Sequence, residues 1–242
     1  MSKQAKVIVA LDYPDRREAV KFAETVSPRA CKLKIGLQLF VAEGPALVRE
    51  LADAGYDIFL DLKFHDIPNT VAAACRSAAS LGVWMLNVHC LGGQRMMRQA
   101  KQAVTGKNEG KPLLIGVTIL TSHQPDEIID IGLHGDLPSL VSSLAGQAMD
   151  SGLDGVVCSP WEAATLRQQF GSDIILVTPG IRPSGSDRGD QRRTMTPGEA
   201  IRAGSNYLVI GRPVTQSQDP AATLRQINEE IAQVLEISDE NT

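Results

Sequence analysis

Six consecutive residues, Asp61-Leu62-Lys63-Phe64-His65-Asp66, gather two carboxylates, an ammonium and an imidazole in one short segment. In an extended strand successive side chains alternate, so Asp61 and Lys63 share a face, Leu60 and Leu62 take the other, and Asp66 follows in the turn. A structural ion pair at a strand end would have the same composition. Lys34, expected at the same level on the preceding strand, extends the set to alternating charges: Lys34, Asp61, Lys63, Asp66. Such coupled charges titrate as a group and are enriched where chemistry occurs. A lysine here has two uses. To attack a carbonyl and form a Schiff base it must lose its proton, which desolvation or neighbouring cations favour. Flanking aspartates favour the ammonium instead. The array therefore suits a lysine that hands its proton to a carbanion formed beside it.

A second group of residues fits anion binding. Thr178-Pro179-Gly180-Ile181-Arg182 and Ile210-Gly211-Arg212-Pro213 follow the last two expected strands. Gly211 allows the backbone to approach a ligand closely, and Arg212 offers a bidentate guanidinium. Between them, residues 183–193 (PSGSDRGDQRR) read either as a solvated loop or as a lid over the ligand. Other polar residues carry less. His89 and Cys90 are neighbours on a strand and point to opposite faces, so they make no dyad, and His89 is expected as a hydrogen-bonding group behind the site. His65 and Asp66 lack a third metal ligand at usable spacing, and Ser159-Pro160 is not a G-x-S-x-G elbow. Neither a metal nor an organic cofactor is expected.

Short β-branched runs and amphipathic stretches alternate along the chain. Strands are expected at 7–12, 31–36, 57–63, 85–90, 113–120, 156–159, 174–178 and 207–210. Helices are expected at 16–26, 45–54, 69–81, 94–104, 137–149, 161–170, 197–203 and 221–235, several stopped by glycine. Unbroken alternation without a linker implies parallel strands covered by helices, and eight such units predict one (β/α)8 TIM barrel over residues 1–242. A doubly wound open sheet would call for a glycine fingerprint after the first strand, and Ala10-Leu11-Asp12-Tyr13-Pro14 is not one. In a barrel, the C-terminal strand ends line the site: Asp12, Lys34, Asp61 with Lys63, His89, Thr118, Ser159, Thr178 and Arg212. Phosphate sites are often built at the loops after strands seven and eight, where the anion-binding residues fall.

Composition narrows the partners. The 242 residues carry a net charge of −4, which argues against nucleic acid as the main partner, since binding its backbone needs a basic surface. The four cysteines show no CxxC pairing, so reduced thiols are expected. No apolar run is long enough for a signal region or a membrane span, and a cytoplasmic protein is expected.

The segment Asp61-Leu62-Lys63-Phe64-His65-Asp66-Ile67-Pro68-Asn69-Thr70 closely resembles the signature of bacterial-type orotidine 5′-phosphate decarboxylases. Shorter similarities follow in the family's order along nearly the whole chain: Val7-Ile8-Val9-Ala10-Leu11-Asp12, Lys32-Leu33-Lys34-Ile35-Gly36, Asn87-Val88-His89, Val117-Thr118-Ile119-Leu120-Thr121-Ser122, Thr178-Pro179-Gly180-Ile181-Arg182 and Gly211-Arg212-Pro213-Val214. The resemblance implies conversion of orotidine 5′-monophosphate to UMP and CO2 without metal or cofactor. It implies that Lys63 protonates C6 of the pyrimidine, with Asp61 beside the scissile carboxylate and Lys34 holding the charge array. Asp66 and Thr70 would enter the neighbouring subunit's site, making an obligatory homodimer. Asp12 and Lys34 would contact the ribose hydroxyls, Thr121 the pyrimidine edge, and Gln191 would link base and phosphate. Arg182, Gly211 and Arg212 would hold the phosphate. Related barrels with the same Asp-x-Lys-x-x-Asp element use a Mg2+-stabilised enediolate, but Lys34 stands where such a site wants an acidic ligand. A non-catalytic barrel that binds phosphometabolites would need the anion site and not the array.

Overall fold

The computed structural model describes residues 5–105, 111–123, 125–184 and 194–240. Eight parallel strands close into a barrel in chain order: β1 (Val7–Ala10), β2 (Lys32–Gly36), β3 (Ile58–Phe64), β4 (Met85–His89), β5 (Leu113–Val117), β6 (Gly155–Val157), β7 (Ile175–Thr178) and β8 (Tyr207–Ile210). The strands read as continuous apolar runs because both faces are covered. Ile8, Phe59, Met85, Ile115, Val177 and Tyr207 fill the inside of the barrel. Their neighbours Val7, Val9, Leu60, Leu86, Leu114, Leu176 and Leu208 point the other way and pack into the layer shared with the helices. This two-sided core makes the barrel a packed body rather than a pore, leaving room for ligand only at its mouth.

The helices are α1 (Arg16–Ala23), α2 (Leu37–Asp53), α3 (Pro68–Ala79), α4 (Gly93–Val104), α5 (Pro125–Asp130), α6 (Leu137–Asp150), α7 (Ala163–Phe170), α8 (Pro197–Arg202), α9 (Arg212–Thr215) and α10 (Pro220–Glu240). Several start where side chains satisfy free amides: Asp15 accepts from Glu18 N–H, Asp136 from Ser139 N–H, and Thr196 and Glu199 form a capping box. The expected barrel and the alternation of elements are found. Helix 45–54 differs: it is the second half of α2, which begins at Leu37 and breaks at Gly44 (φ 65°, ψ −159°) before Pro45 restarts it. Strands β5 and β6 are shorter than expected, and α5 and α9 are additional short helices.

At the N-terminal mouth the buried Lys32 pairs with Asp57 and lies over the Trp84 ring, 4.2 Å from its centroid. A paired cation between aromatic faces seals that end, and the opposite mouth carries the charged residues. Among the described residues no helix is long and apolar enough to cross a membrane.

Candidate active site

Three neighbouring strands bring the first charges together. Strand β2 pairs with β3 so that Lys34 lies beside Phe59 and Gly36 beside Asp61. Lys34 Nζ is 3.4 Å from Asp61 Oδ2, and Lys63 Nζ is 2.6 Å from Asp61 Oδ1. Each oxygen of one carboxylate thus faces a different ammonium. Lys34 Nζ is also 3.4 Å from Asp12 Oδ1, just beyond β1. The Asp12 side chain is 68% exposed, against 11% for Asp61 and Lys34, so Asp12 forms the rim and Asp61 the floor. Burial alone pushes the Asp61 carboxyl up. Lys34 and Lys63 beside it, with hydrogen bonds from Lys63 and Asn87, override that and hold it below the usual carboxylate range.

Lys63 reaches Asp61 by a route that simple alternation does not describe. Its φ is +50°, the one positive value at a non-glycine residue among those described. The β3–β4 ladder slips in the same stretch, pairing Leu60 with Leu86 but Phe64 with Val88. A left-handed residue in a bulged strand re-aims its side chain. The expectation that Asp61 and Lys63 converge holds, but regular strand geometry is not what brings them together.

The charged cluster forms the floor of a cavity of about 160 Å3, with Phe59, Val117, Ile119 and Val209 as apolar walls and Thr121 and Pro179 also lining it. A second hollow, about 120 Å3, shares Lys34, Asp61 and Lys63 and extends past Asp12 and Gly36 to Gln38. Apolar walls around a few convergent charges suit a flat ring bearing an anionic group.

The other expected site residues divide. Gly211 borders the cluster: a Cβ built there would lie 3.6 Å from Asp12 Oδ2. Arg212 follows at the start of α9. Arg182 leaves β7 with its N–H on the Met195 carbonyl (2.9 Å) and its Nη1 on the Ile181 carbonyl (3.0 Å). Asp66 and Thr70 are exposed. Asp66 accepts from Ile67 N–H at 2.6 Å, and within the described chain no ion pair joins it to Lys63, so the fourth member of the expected charge alternation stands apart. Gln191 lies outside the described residues.

Three strand-end residues turn out to be structural. Thr118 donates to the Val157 carbonyl (3.0 Å), and Thr178 to Ser205 Oγ (3.1 Å). Ser159 is fully buried, and its N–H donates to Glu162 Oε2 (2.8 Å). These groups tie adjacent elements together instead of facing ligand. His89, expected as a hydrogen-bonding group, has a buried Nδ1 with no hydrogen-bond partner among the described residues. Burial, then His65 and Lys63, push its basicity down, keeping the ring neutral. His65 is exposed and packs tilted on His89 at 5.5 Å, and among the described residues no three metal-ligating side chains converge.

Two residues at the site were given no role in the sequence reading. Asn87, fully buried on β4, donates from Nδ2 to Asp61 Oδ1 at 2.7 Å. A polar amide within an apolar strand was the available signal. Gly36 is the other: a Cβ there would lie 3.1 Å from Lys34 Nζ.

Comparison with known proteins gives the context of this geometry. A family model described as orotidine 5′-phosphate decarboxylase / HUMPS family matches residues 5–227. The chain is 53% identical over 227 residues to the orotidine 5′-phosphate decarboxylase of Vibrio parahaemolyticus, covering 94% of this chain and 97% of that one. It is 56% identical over 225 residues to that of Sodalis glossinidius, covering 93% and 89%. Among solved structures, the orotidine 5′-phosphate decarboxylase of Lactobacillus acidophilus superposes with a TM-score of 0.84 at 37% identity, over 94% of this chain and 99% of that one.

Proposed function

The chain belongs to the orotidine 5′-phosphate decarboxylase / HUMPS family, and from that premise we propose that it decarboxylates orotidine 5′-monophosphate to UMP and CO2 in de novo pyrimidine synthesis. The observation that carries this reading is the Lys63 ammonium, 2.6 Å from a buried aspartate, at the floor of a cavity with apolar walls. Loss of CO2 from C6 leaves an electron pair in the plane of the ring, which the π system cannot delocalise. An adjacent cation stabilises such a pair directly. Lys63 fills that role and then transfers an Nζ proton to C6, leaving UMP. Asp61, ionised because two ammoniums face it, fixes Lys63 and presents charge to the departing carboxylate. That repulsion is relieved as CO2 leaves.

The remaining assignments follow from position. Asp12 and Lys34, at the rim, take the ribose hydroxyls, and Thr121 takes the pyrimidine edge. Arg182, Gly211 and Arg212, beyond β7 and β8, take the phosphate, whose binding energy serves a reaction several bonds away. For Gln191 the link between base and phosphate rests on the family resemblance alone. Asp66 and Thr70 act on a second subunit of a homodimer. Their exposure supports this, as do the exposed apolar side chains Leu37, Val41 and Ile67. A magnesium enediolate reaction is disfavoured because the Lys34 ammonium occupies the place of an anionic ligand beside Asp61. The protein acts in the cytoplasm.

The test is loss of the orotate chromophore on addition of orotidine 5′-monophosphate, with and without exhaustive EDTA. The expected result is UMP formation at the same rate in both, abolished in Lys63→Ala while UMP binding persists. No turnover by the wild-type chain, or near-native turnover by Lys63→Ala, overturns the reading.

A further inference from the structure

The left-handed conformation of Lys63 needs something to hold it, because a non-glycine residue at positive φ costs about 1–2 kcal/mol relative to the ordinary regions. Three residues lie between Leu60 and Phe64 where only one lies between their partners Leu86 and Val88, so β3 bulges by two residues across Asp61–Lys63. A bulge takes its amides out of the ladder, and the Lys63 N–H is supplied with a partner from a side chain instead. Asn87 Oδ1 accepts it at 2.8 Å.

The same amide works at both ends. Asn87 Nδ2 donates to Asp61 Oδ1 at 2.7 Å, and that oxygen also receives Lys63 Nζ at 2.6 Å. The contacts close a ring: Lys63 backbone, Asn87, Asp61, Lys63 ammonium. The orientation of the amide is unambiguous, since a peptide N–H needs the oxygen and a carboxylate needs the NH2. Asn87 is fully buried between these partners. The ionisable groups linked to the ring are Asp61 and Lys63 on β3, Lys34 on β2 at the other Asp61 oxygen, and the neutral His89 on β4.

We propose that Asn87 is a positioning residue for proton transfer, locking the backbone of Lys63 and the carboxylate of Asp61 in one frame so that the ammonium points into the cavity. This rests on the function proposed above. A serine or alanine would leave the bulge without its brace, and an aspartate would keep the acceptor but lose the donor.

The experiment measures kcat and UMP affinity against pH for wild type, Asn87→Leu and Asn87→Asp. Asn87→Leu, similar in volume but without the two hydrogen bonds, is expected to bind UMP within a few-fold of wild type. Its kcat should fall by roughly 10²-fold, the scale of a misplaced reacting group. Asn87→Asp sets a second carboxylate against Asp61, and when protonated the introduced carboxyl restores both the donor and the acceptor. Its kcat should therefore recover as pH falls, through an ionisation absent from the wild-type profile. A purely structural amide would give no such recovery. Should Asn87→Leu fail to fold, the pH profile of Asn87→Asp decides. Wild-type kcat in the leucine variant, or an aspartate variant with no added acidic recovery, overturns the role of Asn87 alone. Absence of UMP formation by the wild-type chain overturns the functional reading and this inference with it.

Discussion

Gly36→Ala should lower activity without unfolding the protein, because of where one methyl group would sit. Gly36 has φ −93°, a value open to alanine, so no backbone strain opposes the change. The added Cβ would lie 3.1 Å from Lys34 Nζ, while ordinary contact begins near about 3.5 Å. Lys34 must therefore retreat by roughly 0.5 Å, and its Nζ now stands 3.4 Å from both Asp12 Oδ1 and Asp61 Oδ2. If a misplacement of about 1 Å costs ~10²-fold in rate, half that displacement costs about tenfold in kcat/KM. Stability should barely change. Alanine is a poorer helix N-cap than glycine by about 0.5–1 kcal/mol, and the reduced freedom of the unfolded chain returns roughly 0.4–1 kcal/mol. Steady-state kinetics on orotidine 5′-monophosphate and a thermal melt of the same sample measure both quantities. A kcat/KM within about twofold of wild type would refute the argument that Gly36 sets the position of Lys34.

Two further outcomes follow from the packing and ionisation of single residues. Gly155 pairs with Ile175, and a Cβ at Gly155 would lie 2.6 Å from the Ile175 carbonyl carbon and 2.7 Å from its Cα. Since backbone cannot turn aside, Gly155→Ala should cost at least about 3 kcal/mol and lower Tm by roughly 6–12 °C, measured by calorimetry. His89 is held neutral in the fold, so between its lowered folded value and the unfolded value of about 6.5 the unfolded chain binds more protons. Stability should accordingly decline as pH falls below about 6.5, by at most ~1.4 kcal/mol per pH unit from this residue, and His89→Gln should flatten that slope in urea titrations at pH 5–7. Equal slopes in the two proteins would contradict the burial argument.

Much of the molecule was legible in the residue order because its determinants are local. Apolar runs such as Leu113–Val117, set between amphipathic segments ended by glycine, require strand, turn and helix whatever else the chain does. Eight repeats of that unit leave few ways to bury both sheet faces, and the barrel is the compact one. The barrel then puts strand ends at one mouth, so Asp12, Lys34, Asp61 and Lys63 could be grouped before any coordinates were known. Polarity at a strand end does not, however, say which neighbour the group will meet. Thr118, Ser159 and Thr178 had the same credentials as Lys34 and proved to bind the scaffold itself.

What the tertiary structure alone decided is the pairing across strands. The two-residue slip of β3 against β4, the reversal of Lys63 into positive φ, and the buried amide of Asn87 that satisfies both Lys63 N–H and Asp61 depend on contacts between residues 24 and 26 positions apart. No periodicity within β3 encodes them, since the energy that holds a strained residue comes from the groups packed around it. Residue order named Asp61 and Lys63 as neighbours in one charged cluster. Folding of the neighbouring strand against them set the direction in which the lysine points.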